Sequence, residues 1–128
     1  MKYQRDIRER TFEFSVSVIR LCRELDKNEV NRVLVNQLLR SSTSIGANLE
    51  EAQGAHTRPD FINCTNIAKK EARETVYWLK LISEFNVRIR KQIEALVMEA
   101  QEIAKILTTS VKNLKLSPLS LELKYGRR

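Results

Sequence analysis

Apolar residues recur along this chain at intervals of three and four with polar residues between them, a spacing that predicts helices. The first helix runs from about Ile7 to Leu25, with Thr11, Phe14, Val18, Leu21 and Leu25 stepping 3, 4, 3, 4. Residues 26–31 form a polar connection of ordinary length. The second helix runs from about Glu29 to Gln53 on Val35, Leu38, Ile45, Leu49 and Ala52, with Ser42 at the missing step and Gly54 at the C-cap position. Thr57 is placed to cap the third helix, with Pro59 in its first turn and Asp60 three residues on. Its seam passes through Phe61, Cys64, Ala68, Glu71, Thr75, Trp78 and Ile82. After a short break at 85–87, Asn86 is available to cap a fourth helix. The fourth seam is Ile89, Ile93, Leu96, Ala100, Ile103, Leu107 and Leu114, with Ser110 at its one polar step.

Four long amphipathic helices with short connections predict an all-α, antiparallel up-down-up-down four-helix bundle. The 3.5-residue seam favours left-handed packing. The bundle spans residues 1–115, and the pattern stops there, leaving a C-terminal tail over 116–128. The run RSSTSIGANLEEAQGA at 40–55 places small side chains on the second helix, which lets its neighbours approach closely. Helix 1 carries a second apolar stripe of Phe12, Val16 and Ile19, and helix 3 carries Ile62, Val76, Leu79 and Leu81, with Tyr77 beside Trp78. A wide core face would account for them, but a second interface with another subunit is the expectation. In both, Tyr77 and Trp78 lie in a packing seam, which argues against their serving as a stacking platform for bases.

A chain of 128 residues can bury a core without disulfides or metals. Only Gly46, Gly54, Gly126, Pro59 and Pro118 break helices, too few for a turn-rich β fold. Cys22 and Cys64 fall on apolar helical positions without metal-ligand spacing, as buried free thiols of a reducing cytosol do. The charged N-terminus lacks an export signal, and no apolar stretch approaches the roughly 20 residues of a spanning helix. The expectation is a cytoplasmic protein.

Catalytic and cofactor chemistry finds little support. His56 is the sole histidine and lies in the loop between helices 2 and 3, away from both cysteines. A di-iron bundle would need Glu-x-x-His on two helices. Ser41, Ser42, Thr43 and Ser44 have no base at hand, and the glycines never cluster into a phosphate loop. The chain reads as a non-enzyme with no cofactor or metal and no small-molecule substrate.

The segment QLLRSSTSIGANLEEAQG at 37–54 resembles the signature helix of the 23S rRNA intervening-sequence proteins, a family of small four-helix bundles. Glu74-Thr75-Val76-Tyr77-Trp78-Leu79 resembles the family's helix-3 motif, and Ile106-Leu107-Thr108-Thr109 through Leu114-Lys115 resembles the end of its last helix. One departure is Ala52, where the family usually has glycine after the acidic residue, so helix 2 is expected to continue further here. The resemblance implies a ring-shaped homopentamer. It also implies kinship with the accessory variability determinant of diversity-generating retroelements, and through it a link to RNA, to an RNA–protein assembly and to a reverse transcriptase. Arg40, Asn48, Glu51, Glu71 and Glu74 match family positions on or beside the inward seams of helices 2 and 3. Burying a carboxylate there requires a partner, so Arg40 is expected to meet Glu71 or Glu74 and fix the register.

Charge is the remaining signal, a net +7. In an antiparallel bundle one pole gathers Arg20, Arg23, Lys27, Arg32, Lys80, Arg88, Arg90 and Lys91 against Glu24, Asp26, Glu29 and Glu84, an excess of about four positive charges. Lys69, Arg73 and Lys80 add a stripe along helix 3, and Lys124, Arg127 and Arg128 a basic tail. No RNP motif, KH loop or helix-turn-helix is present, so any contact with nucleic acid is directed at the backbone. Two functions follow: an oligomeric module that binds nucleic acid, with the family resemblance implying RNA ahead of DNA, or a protein scaffold whose tail docks through Leu116, Leu119, Leu121, Leu123 and Tyr125.

Overall fold

The computed structural model describes residues 6–116, and the tail beyond them lies outside the described residues. Four α-helices account for nearly all of it: α1 (Ile7–Glu24), α2 (Glu29–Gln53), α3 (Arg58–Phe85) and α4 (Arg90–Leu116). Local chemistry sets three of the starts. The carboxylate of Asp6 accepts from the backbone N–H of Arg8 at 2.8 Å, and that bond, with the Arg8 guanidinium, lowers the Asp6 pKa. Asn28 accepts from the N–H of Asn31 at 2.8 Å, and Thr57 from that of Asp60 at 3.2 Å. α2 runs on through Ala52 to its cap at Gly54, whose φ of −93° needs no glycine.

The fourth start departs from expectation. A single 3-10 turn, Val87–Ile89, leads into α4, and the side chain of Asn86 does not cap it. Asn86 and Asn31 instead exchange amide hydrogen bonds, both 3.1 Å. Asn31 also donates to the carbonyl of Asp26, and Asn86 to that of Ile82. The pair ties the α1–α2 loop, the start of α2 and the end of α3 into one knot, with Asn31 only 3% exposed. Asn31→Ala removes a buried amide and leaves its partly buried partners without it, so it is expected to cost about 2 kcal/mol in urea denaturation. Asn86→Ala should cost a similar amount, and the double variant clearly less than the sum. Strict additivity would show the two amides to be independent.

Contacts between neighbours descend along one helix as they ascend along the other. Arg8 meets Glu50 and Ser15 meets Ser42 across α1 and α2, while Asn31 meets Asn86 and Ser41 meets Thr75 across α2 and α3. Arg10 meets Glu99 and Asp26 meets Arg88 across α1 and the α4 side. The core is one cluster containing Phe14, Val18, Leu21, Leu38, Ile45, Leu79, Ile82, Ile93, Ile103 and Leu107. α1 presents the expected seam.

Two seams are rotated from their expected positions. On α3 the buried residues are Thr65, Ala68, Ala72, Thr75, Leu79, Ile82 and Ser83, so Leu79 rather than Trp78 enters the core, and Ala72 replaces Glu71. On α4, Val97 and Val111 are buried, while Leu96, Ser110 and Leu114 are half-buried. A helix of 3.6 residues per turn drifts about 20° per heptad from a 3.5 seam, which carries the later positions off the core.

The small-residue run of α2 is an inner polar layer. Thr75 Oγ1 and Ser41 Oγ lie 2.9 Å apart inside the α2–α3 contact. Ser15 donates to the carbonyl of Ser42 at 3.2 Å, and Gly46 lies against Thr11 of α1. These hydroxyls satisfy one another or a backbone carbonyl, so the close approach leaves them partnered.

Candidate nucleic-acid interface

The pole holds its basic residues in two different conditions. Arg88 lies 3.6 Å from the carboxylate of Asp26 and donates to the carbonyl of Glu24. Arg90 donates to the carbonyls of Ser83 and Glu84, closing the C-terminus of α3. Arg32 pairs with Glu29 at 2.8 Å. Arg32 and Arg88 are thus paired with carboxylates at the surface, and Arg90 is engaged with the end of α3. Arg20, Arg23, Lys27 and Lys91 are exposed and form no ion pair among the described residues. Arg23 and Lys27 join Arg40 on the rim of a shallow groove floored by Ile19, Cys22 and Leu39.

A second basic surface comes from how α3 and α4 face each other. Glu71 and Thr75 mark the flank of α3 turned to α2. Lys69, Arg73 and Lys80 sit about 160–200° around the axis from Glu71, on the opposite flank bordering α4. On α4, Arg90 marks the flank turned to α3, and Glu99, bound by Arg10 at 2.7 Å, marks the flank turned to α1. Lys105 and Lys112 lie within about 60° of Arg90 around that axis. Cations therefore border both sides of the α3–α4 seam. Arg73, Lys80, Lys105 and Lys112 are exposed and Lys69 is half-buried, and none has an acidic partner among the described residues. Glu94 is the acid on the same flank of α4. Lys105 and Lys112 escape a sequence reading: their seven-residue spacing shows one face, but only packing shows which neighbour that face borders.

The polar residues of α2 and α3 need correction. Arg40 reaches both Glu71, at 3.3 Å, and Glu74, but the network lies half exposed on the surface and not on an inward seam. Such a pair contributes about 0–1 kcal/mol. Asn48 donates to the carbonyl of Ser44 on its own helix, and Glu51 is exposed. Inside the α2–α3 contact, Ser41 and Thr75 join their hydroxyls. Tyr77 also leaves its expected place: it is 58% exposed, while Trp78 beside it is half-buried.

Both cysteines are free. Burial pushes the Cys22 thiol up to about 11, which makes it a poor nucleophile. Among the described residues, no three His, Cys, Asp or Glu side chains are placed to share a metal ion, and no helix is long and apolar enough to cross a membrane.

The fold defines an all-α helical-bundle protein with a basic surface. Residues 4–109 match the 23S rRNA-intervening sequence protein family, and the chain belongs to it. It is similar to a solved protein of unknown function from the S23 ribosomal protein family of Bacteroides thetaiotaomicron VPI-5482. The two are 40% identical, the match covers 84% of this chain and 99% of that one, and the TM-score is 0.74. No functionally curated protein matches.

Proposed function

We propose that this is a non-enzymatic, self-associating cytoplasmic bundle that binds nucleic acid, RNA ahead of DNA, through its phosphate backbone. The supporting observation is the α3–α4 seam, where Lys69, Arg73, Lys80, Lys105 and Lys112 line one face without acidic partners. Lys69 and Lys80 are eleven residues apart, roughly 16 Å along the helix, a length that meets several phosphates. The unpaired Arg20, Arg23, Lys27 and Lys91 extend the positive field to the pole. Titration against structured RNA, single-stranded RNA and duplex DNA across a salt series tests this reading. Micromolar binding with a steep negative log–log salt slope is expected, and no binding at the lowest salt would end it.

Self-association draws on α1, where Phe12 is 69% and Ile19 43% exposed on one stripe. Apolar side chains left open on a small bundle call for a cover, and a further copy in a homopentamer supplies it. Replacing Phe12 and Ile19 by aspartate should yield monomers by light scattering with helix content intact. An unchanged oligomer would place the interface elsewhere.

The scaffold reading draws on a different patch. Val30, Val33, Phe85 and Val87 are exposed beside the Asn31–Asn86 knot, an apolar surface suited to a protein partner. Loss of partner capture on charging that patch, with nucleic-acid affinity absent, would favour it.

A further inference from the structure

We propose that Tyr77 is a stacking platform for an unpaired base, so that the preferred ligand is single-stranded nucleic acid; this rests on the phosphate-binding reading above. Tyr77 shares one outer stripe of α3 with Lys70 and Arg73, seven and four residues before it, and with Lys80, three residues after it. All three cations are exposed and form no ion pair among the described residues. Glu74, three residues before Tyr77 and bound by Arg40, and Glu84, two turns on, are the acids beside that stripe.

The ring is held in place from one side. Trp78 meets it edge-on, with centroids 5.1 Å apart and planes at 74°. The indole N–H of Trp78 points to Glu74 at 3.5 Å, and Glu74 is bound by Arg40 of α2. The surface network around Arg40 thus has a use beyond its small contribution to stability: it orients Trp78, and Trp78 orients Tyr77. What remains is an exposed aromatic face with cations one turn away on each side. Any base can stack on such a face while its flanking phosphates meet Arg73 and Lys80. A duplex keeps its bases stacked internally and offers only phosphates.

Trp78 is the chain's single tryptophan, so its emission reports events at its neighbour. Full-length protein is titrated with a twelve-nucleotide oligouridylate and with a twelve-base-pair RNA duplex, and affinity is read by fluorescence anisotropy. Wild type should bind both, with quenching of Trp78 by the single strand. Tyr77→Ala should weaken the single strand about 10-fold and leave the duplex unchanged, with Tyr77→Phe restoring affinity. Equal loss for both ligands, or for neither, would overturn the proposal. A change in sedimentation of Tyr77→Ala would also overturn it, because the ring would then belong to a contact between copies. If wild type binds neither ligand at low salt, the phosphate-binding reading fails and this inference falls with it; if it binds both and Tyr77→Ala is silent, only the inference fails.

Discussion

Replacing Arg73, Lys105 and Lys112 together by glutamate is expected to lower affinity for structured RNA about 100-fold at 0.1 M salt. The log–log salt slope should flatten by about 2 to 3, since each lost phosphate contact removes roughly 0.7–0.9 from it. All three side chains are exposed and unpaired among the described residues, so removing their charge breaks no ion pair that supports the fold. Circular dichroism and sedimentation should therefore match wild type. Repulsion by the new carboxylates adds to the lost attraction, which makes this larger than any single neutralisation.

The pole offers the contrast. Arg88 already faces Asp26 and the carbonyl of Glu24, so Arg88→Ala should change affinity less than about 3-fold. Arg90→Glu is a poor probe, because it uncaps the end of α3 and would report on folding. If Arg88→Ala proved severe and the α3–α4 triple variant mild, the pole would be the binding surface and the seam a solvated face.

These two surfaces also show what the sequence can and cannot carry. The helices were legible nearly to the residue, because their limits rest on local signals: Thr57 with Pro59, and Gly54, act on their own few neighbours. The spacing of Lys69, Arg73 and Lys80 was legible for the same reason. The rotation of α3 was not, since Trp78 and Leu79 are adjacent and both apolar, and only the volume available opposite α2 and α4 selects Leu79. That one choice moves Tyr77 from a packing seam to the surface and Glu71 from the interior to its edge. Lys105 and Lys112 were missed because the flank a helix turns to its neighbour is a tertiary property. Asn86 was misread because its partner, Asn31, is 55 residues away in sequence.

Gly46→Leu is expected to destabilise the bundle by about 3 kcal/mol in urea denaturation. A Cβ on Gly46 would stand 3.3 Å from Thr11 Oγ1 and 3.8 Å from Thr11 Cβ, inside the contact of α1 with α2. Thr11 has little room to yield: it is fully buried, β-branched, and its hydroxyl lies 2.9 Å from the carbonyl of Ile7 and 3.1 Å from that of Arg8. The remaining atoms of a leucine would have to enter space that α1 already fills, so α1 must lift. Lifting it weakens the Ser15 contact to Ser42 on one side of the site and the Arg8–Glu50 pair on the other. Gly46→Ala behaves differently, because about 1 kcal/mol of gained helix propensity offsets one tight contact, leaving stability within about 1 kcal/mol of wild type. Thr11→Ala should recover part of the loss in Gly46→Leu by opening the space opposite it. A Gly46→Leu protein as stable as wild type would mean that α1 does not rest on α2 at this point. Because α1 also carries Phe12, Ile19, Arg20 and Arg23, the same variant should lose self-association along with stability, whereas Gly46→Ala should keep both.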